Sequence, residues 1–224
     1  MSDTVDSKFL PFNRENPSSD ELNEKAQEFY DKMNKRRSIR EFSDKPVAKS
    51  VIENIIRTAG TAPSGAHKQP WTFCAISNAA LKSKIRKAAE EEEYENYHGR
   101  MSDAWVADLK KFGTDWHKPF LEIAPWVIVL FRKTYDVEDG AKKKNYYVQE
   151  SVGIACGMLI TAIHQAGLVT LTHTPSPMNF LAKILGRPEN EKAYLLIPVG
   201  YAAEDAAVPD LQRKALEEIA VFFE

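Results

Sequence analysis

Residues 126–131 read Trp-Val-Ile-Val-Leu-Phe, six large apolar side chains in a row. A strand with one wet face alternates apolar and polar positions, so an unbroken β-rich run predicts a strand covered on both faces. Helical patterns flank it on either side. Upstream, Ser19 opens a run carrying Leu22, Ala26, Phe29, Tyr30 and Met33 at three- and four-residue spacings, ending near Lys35. A second helix follows Pro46 with Val51, Ile52, Ile55, Ile56 and Ala59 on one side, and Gly60 is expected just past its end. Trp71 to Ile76 reads as a strand, and 78–97 as a helix with Leu81, Ile85 and Ala88 on one face. Trp105, Leu109, Phe112 and Trp116 predict one more helix, interrupted at Gly113, whose apolar stripe is expected to face the core.

Downstream, 145–165 reads as a long helix in which Gly153, Ala155, Cys156 and Gly157 permit close approach of a neighbour. Strands are expected at 168–171 and 194–199, a helix near 180–185, and an amphipathic helix over the tail, 211–223. Residues 1–17, with two prolines, read as an extended arm, leaving 18–224 as a single domain. Strands interspersed with long helices give an α+β class.

The 224 residues carry 30 Lys and Arg against 32 Asp and Glu, a net charge of −2, with 43% hydrophobic residues. That balance leaves no basic footprint for nucleic acid and is too apolar for a disordered chain. Cys74 and Cys156 are far apart with no CxxC, so neither a zinc cluster nor a disulfide framework is expected, and a reducing cytoplasmic compartment fits. The N-terminus has no signal-peptide pattern, and the longest apolar-leaning run, Val152 to Ile163, is too short to span a bilayer. No metal site and no membrane association are expected.

Arg36, Arg37 and Arg40 fall within five residues, with Ser38 between them. Three guanidiniums so close repel unless an anion or carboxylates take up their donors; phosphate matches their geometry, and a stretch solvated between acidic helices is the other reading. Ser64-Gly65-Ala66 offers a backbone that a ligand can approach closely, or merely a turn. Glu93 and Tyr97 are four apart on an expected helix and so share a face. With Lys118 they could hold a ligand bearing both amine and carboxylate; otherwise 90–93 is a solvated acidic face. Thr170, Thr172, His173 and Thr174 follow a strand and precede Pro175, where hydroxyls and amides could reach a bound ring. There is no dinucleotide fingerprint, P-loop, HExxH or Gly-x-Ser-x-Gly elbow, which removes most hydrolase and NTPase readings.

In their order and spacing, RRSIREF at 36–42, TAPSGAHKQPW at 61–71, the Glu93/Tyr97/Lys118 set, LTHTP at 171–175 and VPDLQRK at 208–214 resemble the iodotyrosine deiodinase branch of the nitroreductase superfamily, over about residues 25–220. The resemblance implies a nitroreductase-like fold: a central mixed or antiparallel sheet flanked by helices, in a homodimer with exchanged terminal arms. It implies non-covalent FMN at the dimer interface, with Arg36, Arg37, Ser38, Arg40 and Arg213 on the phosphate end and ring edge. Ser64 and Gly65 would come from the partner subunit, and Thr172, His173 and Thr174 would lie beside the flavin. Thr174 would be the catalytic hydroxyl, donating to N5 and favouring single-electron steps. Glu93, Tyr97 and Lys118 would grip the zwitterion of a 3-halotyrosine, Ala66 would meet its phenol oxygen, and about 90–118 would act as a lid. The activity implied is reductive dehalogenation, with electrons from NAD(P)H or a reductase. The chain departs from the vertebrate members in having no N-terminal membrane anchor, which suggests a soluble bacterial relative, and in placing His173 where they carry threonine. A general nitro- or quinone reductase, in which the trio is incidental, and a non-catalytic flavin-binding dimer are the alternatives.

Overall fold

The computed structural model describes residues 9–12, 14 and 16–224, so much of the arm expected over 1–17 lies outside the described residues. The chain divides into two compact units, Met1–Arg36 and Arg37–Glu224. The first contains α1 (Ser19–Asn34), whose start is fixed by a capping box: Ser18 Oγ accepts from the Glu21 N–H and the Glu21 carboxylate accepts from the Ser18 N–H.

The second unit runs α2 (Lys49–Gly60), β1 (Trp71–Ile76), α3 (Ala79–Glu95), α4 (Asp103–Lys110), α5 (Phe120–Ile123), β2 (Trp126–Lys133), β3 (Tyr135–Glu138), β4 (Ala141–Lys144), α6 (Val148–Gln165), β5 (Val169–Thr170), α7 (Asn179–Ile184), β6 (Glu191–Gly200) and α8 (Leu216–Ile219). The sheet order is β1-β2-β6-β5, all antiparallel, and Ser38 adds a parallel bridge to Thr170 at its edge. The expected α+β class with a central mixed or antiparallel sheet is what the chain adopts.

Strand β2 is buried from Val127 to Phe131 because both its faces are covered. Ile128 and Leu130 join Ile52, Ile55, Val152, Leu159 and Ile163 in one core, beneath α2 and α6. Val127, Val129 and Phe131 join Ile85, Phe120, Leu121 and Leu181 in the other, beneath α3, α5 and α7. Alternate side chains of a strand point to opposite faces, so one apolar run feeds two cores.

Several boundaries differ from the sequence reading for local reasons. Gly60 is the last residue of α2 rather than the one beyond it; the helix closes at Thr61, whose hydroxyl donates to the Thr58 carbonyl at 2.8 Å. Helix α6 begins three residues late because Asn145 is tied to the end of β2, its N–H donating to the Thr134 carbonyl and its amide to the Lys133 carbonyl. The hairpin β3–β4 was not foreseen; its turn is Asp139-Gly140, both at positive φ, a pairing that is a hairpin signal in sequence. The tail is helical only at Leu216–Ile219, and Leu211, Val221, Phe222 and Phe223 stay exposed, so among the described residues its apolar stripe is left uncovered. No helix among the described residues is long and apolar enough to cross a membrane.

Candidate active site

Helix α3 starts at an Asn78 cap, whose side chain accepts from the Leu81 N–H, and buries Ile85 and Ala89 against the sheet. Its α-helical hydrogen bonding stops at Glu95 and passes into a π turn over Asn96–Arg100, closed by the Met101 N–H donating to the Asn96 carbonyl at 2.9 Å. Such wide turns insert a residue into a helix and frequently mark functional sites. Here the turn carries Tyr97 while keeping it on the Glu93 side, and the buried Asn96 amide donates to the Ser176 carbonyl at 3.0 Å.

A cavity of about 220 Å³ opens beside this junction. Glu93, Tyr97 and Lys118 line it together with Arg40, Thr172, His173 and Thr174. Glu93 and Lys118 are 6% and 3% exposed, and Lys118 Nζ lies 3.4 Å from Glu93 Oε2. The ammonium is also 3.4 Å from Thr114 Oγ1 and donates to the Asp115 carbonyl. Tyr97 donates from its hydroxyl to the Thr114 carbonyl at 3.3 Å, and the Lys118 ammonium sits 5.5 Å from the centre of its ring. The acidic stretch is therefore not one solvated face: Glu91 is exposed, whereas Glu93 is buried and paired.

Burial pushes the Glu93 carboxyl above its ordinary range against the pull of Lys118, and pushes Lys118 down against the pull of Glu93. Tyr97 is raised by burial and by the Glu93 charge. Glu93 and Lys118 compensate each other's charge, and a ligand carrying an ammonium and a carboxylate could replace both halves of the pair. His173 is fixed by main-chain bonds in both directions to Leu196, of 2.9 and 3.0 Å, and its ring meets Phe120 edge-on. Burial, with Lys118 and Arg40 nearby, drives its pKa down to about 3, so the imidazole is neutral. Its Nε2 has no hydrogen-bond partner among the described residues.

The remaining expected residues are spread over other segments. Arg36 ends the first unit. Arg37 donates to the Pro209 carbonyl, and Ser38 is exposed beside the sheet edge. Arg40 has no carboxylate paired with it among the described residues; it lies over the Phe112 ring at 5.7 Å, and burial lowers its pKa. Ser64 Oγ accepts from the Gln69 N–H, and the Gly65 N–H donates to Ser151. A Cβ on Gly65 would lie 2.9 Å from the Tyr147 ring and 3.0 Å from the Tyr146 carbonyl, so only glycine fits there. Ala66 follows in a left-handed turn, φ 49°. Arg213 lies in the exposed segment before α8. None of Arg37, Ser38, Ser64, Gly65, Ala66 and Arg213 lines the cavity.

Sequence reasoning missed other lining residues. Trp105 and Leu109 were expected in the core, yet both line the cavity and Trp105 is 56% exposed; α4 ends at Lys110, so Phe112 and Trp116 fall outside it. The helical spacing was visible, but nothing in it distinguishes packing on a core from walling a cavity. Met101 and Thr114 gave no sequence signal.

Comparison with known proteins bears on this arrangement. The nitroreductase family model matches residues 33–201. An iodotyrosine deiodinase of Haliscomenobacter hydrossis is 62% identical over 216 residues, 96% of this chain and 97% of that protein. One of Nematostella vectensis is 50% identical over 215 residues, 94% of this chain and 81% of that protein. A crystal structure of oxidized iodotyrosine deiodinase bound to FMN and 3-iodo-L-tyrosine superposes with a TM-score of 0.74 at 26% identity, covering 87% of this chain and all of that one. With the family model spanning most of the chain and relatives this similar over almost their whole length, the chain belongs to the iodotyrosine deiodinases of the nitroreductase family.

Proposed function

We propose that this protein reductively dehalogenates 3-halo-L-tyrosines, iodotyrosine above all. The aryl carbon–halogen bond breaks, a carbon–hydrogen bond forms with two electrons and a proton, and tyrosine and halide leave. The observation that carries the reading is the convergence of Glu93, Tyr97 and Lys118 in one cavity with the threonines at 172 and 174. Glu93 takes the substrate ammonium, Lys118 its carboxylate, and Tyr97 adds a hydrogen bond. In the substrate-free cavity the first two satisfy each other, so a zwitterion exchanges one internal ion pair for two external ones without leaving a buried charge alone. Residues 90–118 form the lid, and Met101, Trp105 and Leu109 on it exclude water from the reacting ring.

The donor set fits FMN. Arg40 is desolvated with no carboxylate among the described residues to pair it, as a guanidinium reserved for an anionic or carbonyl acceptor would be. The exposed Thr172 and the Thr174 hydroxyl give donors for a heteroaromatic edge. Arg37, Ser38, Arg40 and Arg213 would hold the phosphate end and ring edge, and Thr172, His173 and Thr174 the ring. Bound FMN supplies the reducing electrons. The working form is a homodimer, in which Ser64, Gly65 and the Ala66 N–H serve the site of the partner subunit. Exposed Ile154 and Gly157 on α6, and exposed Leu216, Ile219, Phe222 and Phe223 in the tail, supply apolar surface for a second copy with exchanged arms. The protein works in the cytoplasm, with electrons from NAD(P)H or a reductase.

The test is anaerobic: the FMN-loaded protein is reduced, iodotyrosine is added, and the flavin spectrum is followed. Reoxidation with formation of tyrosine and iodide is expected. Reoxidation by a nitroaromatic but not by iodotyrosine would replace this reading with a general nitroreductase.

A further inference from the structure

Lys118 sits at a position where its main chain needs outside help. Pro119 follows it and α5 begins immediately after, so the Lys118 N–H precedes a helix start, where donors have no intrahelical acceptor. A buried N–H without a partner costs the full desolvation of the group. The Glu90 carboxylate answers it: Oε1 accepts from the Lys118 N–H at 2.6 Å.

Glu90 is itself aimed by a chain of contacts along α3. Arg86 donates from Nε to the same Oε1 at 2.8 Å and reaches Glu122 Oε2 with Nη1 at 2.9 Å. One turn earlier the buried Lys82 ammonium donates to the carbonyls of Glu122 and Ala124, at 2.8 and 2.7 Å. Lys82, Arg86 and Glu90 are spaced by four, one stripe of the helix clasping residues 118–124. Glu93, one turn beyond Glu90, carries the ammonium-binding carboxylate. A single helix therefore places one reading group directly and the other through its backbone.

We propose that Glu90 is a positioning residue for substrate recognition: by holding the Lys118 main chain against α3 it sets the spacing between the groups that read the substrate carboxylate and ammonium. This rests on the reading in which Lys118 binds that carboxylate. Charge-assisted contacts to backbone donors orient first-contact ligands in this way, and their loss is felt at the ligand rather than at the contact itself.

The test uses the FMN-loaded protein and two ligands, 3-iodotyrosine and 3-iodotyramine, which keeps the ammonium and lacks the carboxylate. Affinities are read from flavin fluorescence. Glu90→Ala should weaken iodotyrosine binding roughly tenfold, the size of a lost charge-assisted contact, and leave iodotyramine unchanged. Glu90→Gln, whose amide oxygen still accepts from the Lys118 N–H, should recover most of that loss, and Arg86→Gln should fall between the two. If Glu90→Ala does not fold, the same ratio is read from Glu90→Gln and Arg86→Gln. Equal weakening of both ligands would reduce Glu90 to a packing role and overturn the proposal, as would no weakening of either. Lys118→Ala separates the premises. If it weakens iodotyrosine while the Glu90 and Arg86 variants do not, only the positioning role fails; if it has no effect, the carboxylate reading of Lys118 fails first.

Discussion

Glu93, Tyr97 and Lys118 meet within one cavity of a single chain, whereas Arg37, Ser38, Ser64, Gly65 and Arg213 stay on separate segments that do not line it. The first group comes from one helix and the loop clasped to it, and its members compensate one another's charge. The second is held by main-chain contacts: Arg37 to the Pro209 carbonyl, Gly65 to Ser151, Ser64 to Gln69. On the proposed reading the groups for the substrate zwitterion are thus complete within one fold, while the phenol contact at Ala66 and the cofactor end wait for groups that one chain does not bring together. The contrast predicts that damage to the buried pair shows as lost ligand and lost stability together, and damage to the arginines of the second group as lost cofactor with the fold intact.

The largest effect is expected at the buried pair. Lys118→Ala leaves Glu93 buried without its cation, and breaking such a pair costs about 3–5 kcal/mol, read by urea denaturation. Replacing both partners by apolar residues, Glu93→Leu with Lys118→Met, should restore much of that stability while abolishing iodotyrosine binding. A double variant no more stable than the single ones would mean that the pair is screened and the two regions do not differ in kind.

Next comes the arginine segment. Arg37→Ala with Arg40→Ala should weaken FMN binding by roughly 10- to 150-fold per lost charge-assisted contact, with the thermal midpoint of the FMN-free protein little changed. Unchanged flavin content on purification would return this stretch to the solvated alternative.

Smaller again is Gly65→Ala. The new methyl would press on the Tyr146 backbone, and overpacking of this kind costs about 1–3 kcal/mol. On the proposed reading, in which the segment serves the partner subunit, dimer dissociation measured by sedimentation should rise as well; a loss confined to the monomer would argue that the loop serves only its own chain.

The smallest effect concerns acid. His173 is neutral in the fold down to about 3, against an ordinary 6.5, so between those values the unfolded chain takes up a proton that the native state refuses. Its contribution is intact above 6.5 and is lost progressively as pH falls through that window. At pH 5.5 the loss is on the order of 1 kcal/mol, and His173→Thr should remove it, seen as a shallower decline of stability between pH 6.5 and 5. An unchanged slope would place the imidazole in contact with water.

Much of this was legible before any coordinates. The run at 126–131 announced a strand with two covered faces, and it lies between two cores. The spacing of Glu93 and Tyr97 announced a shared side, and they share it, although the turn that joins them is a π turn that no periodicity foretells. Trp105 and Leu109 were misplaced because helical spacing tells which residues share a face and not what that face meets. The tail failed for a related reason: its apolar stripe is genuine, but a helix this short draws its stability from packing, and among the described residues the stripe stays exposed. Glu90 carried no signal of its own beyond the acidic run 90–93, because the donor it serves is a backbone group, which carries no signature in the sequence.

The bridge between Ser38 and Thr170, with the Ile39 N–H donating to the Thr170 carbonyl at 3.2 Å, has a further consequence. Strand β5 is only two residues long, and beyond it the sheet would end in unpaired amides and carbonyls, a template on which a foreign strand could add. The 38–39 segment occupies that edge, and the guanidiniums of Arg37 and Arg40 flank it. The stretch read first for its affinity for anions also guards the sheet against edge-to-edge aggregation, so substitutions that detach it would show as turbidity in concentrated samples.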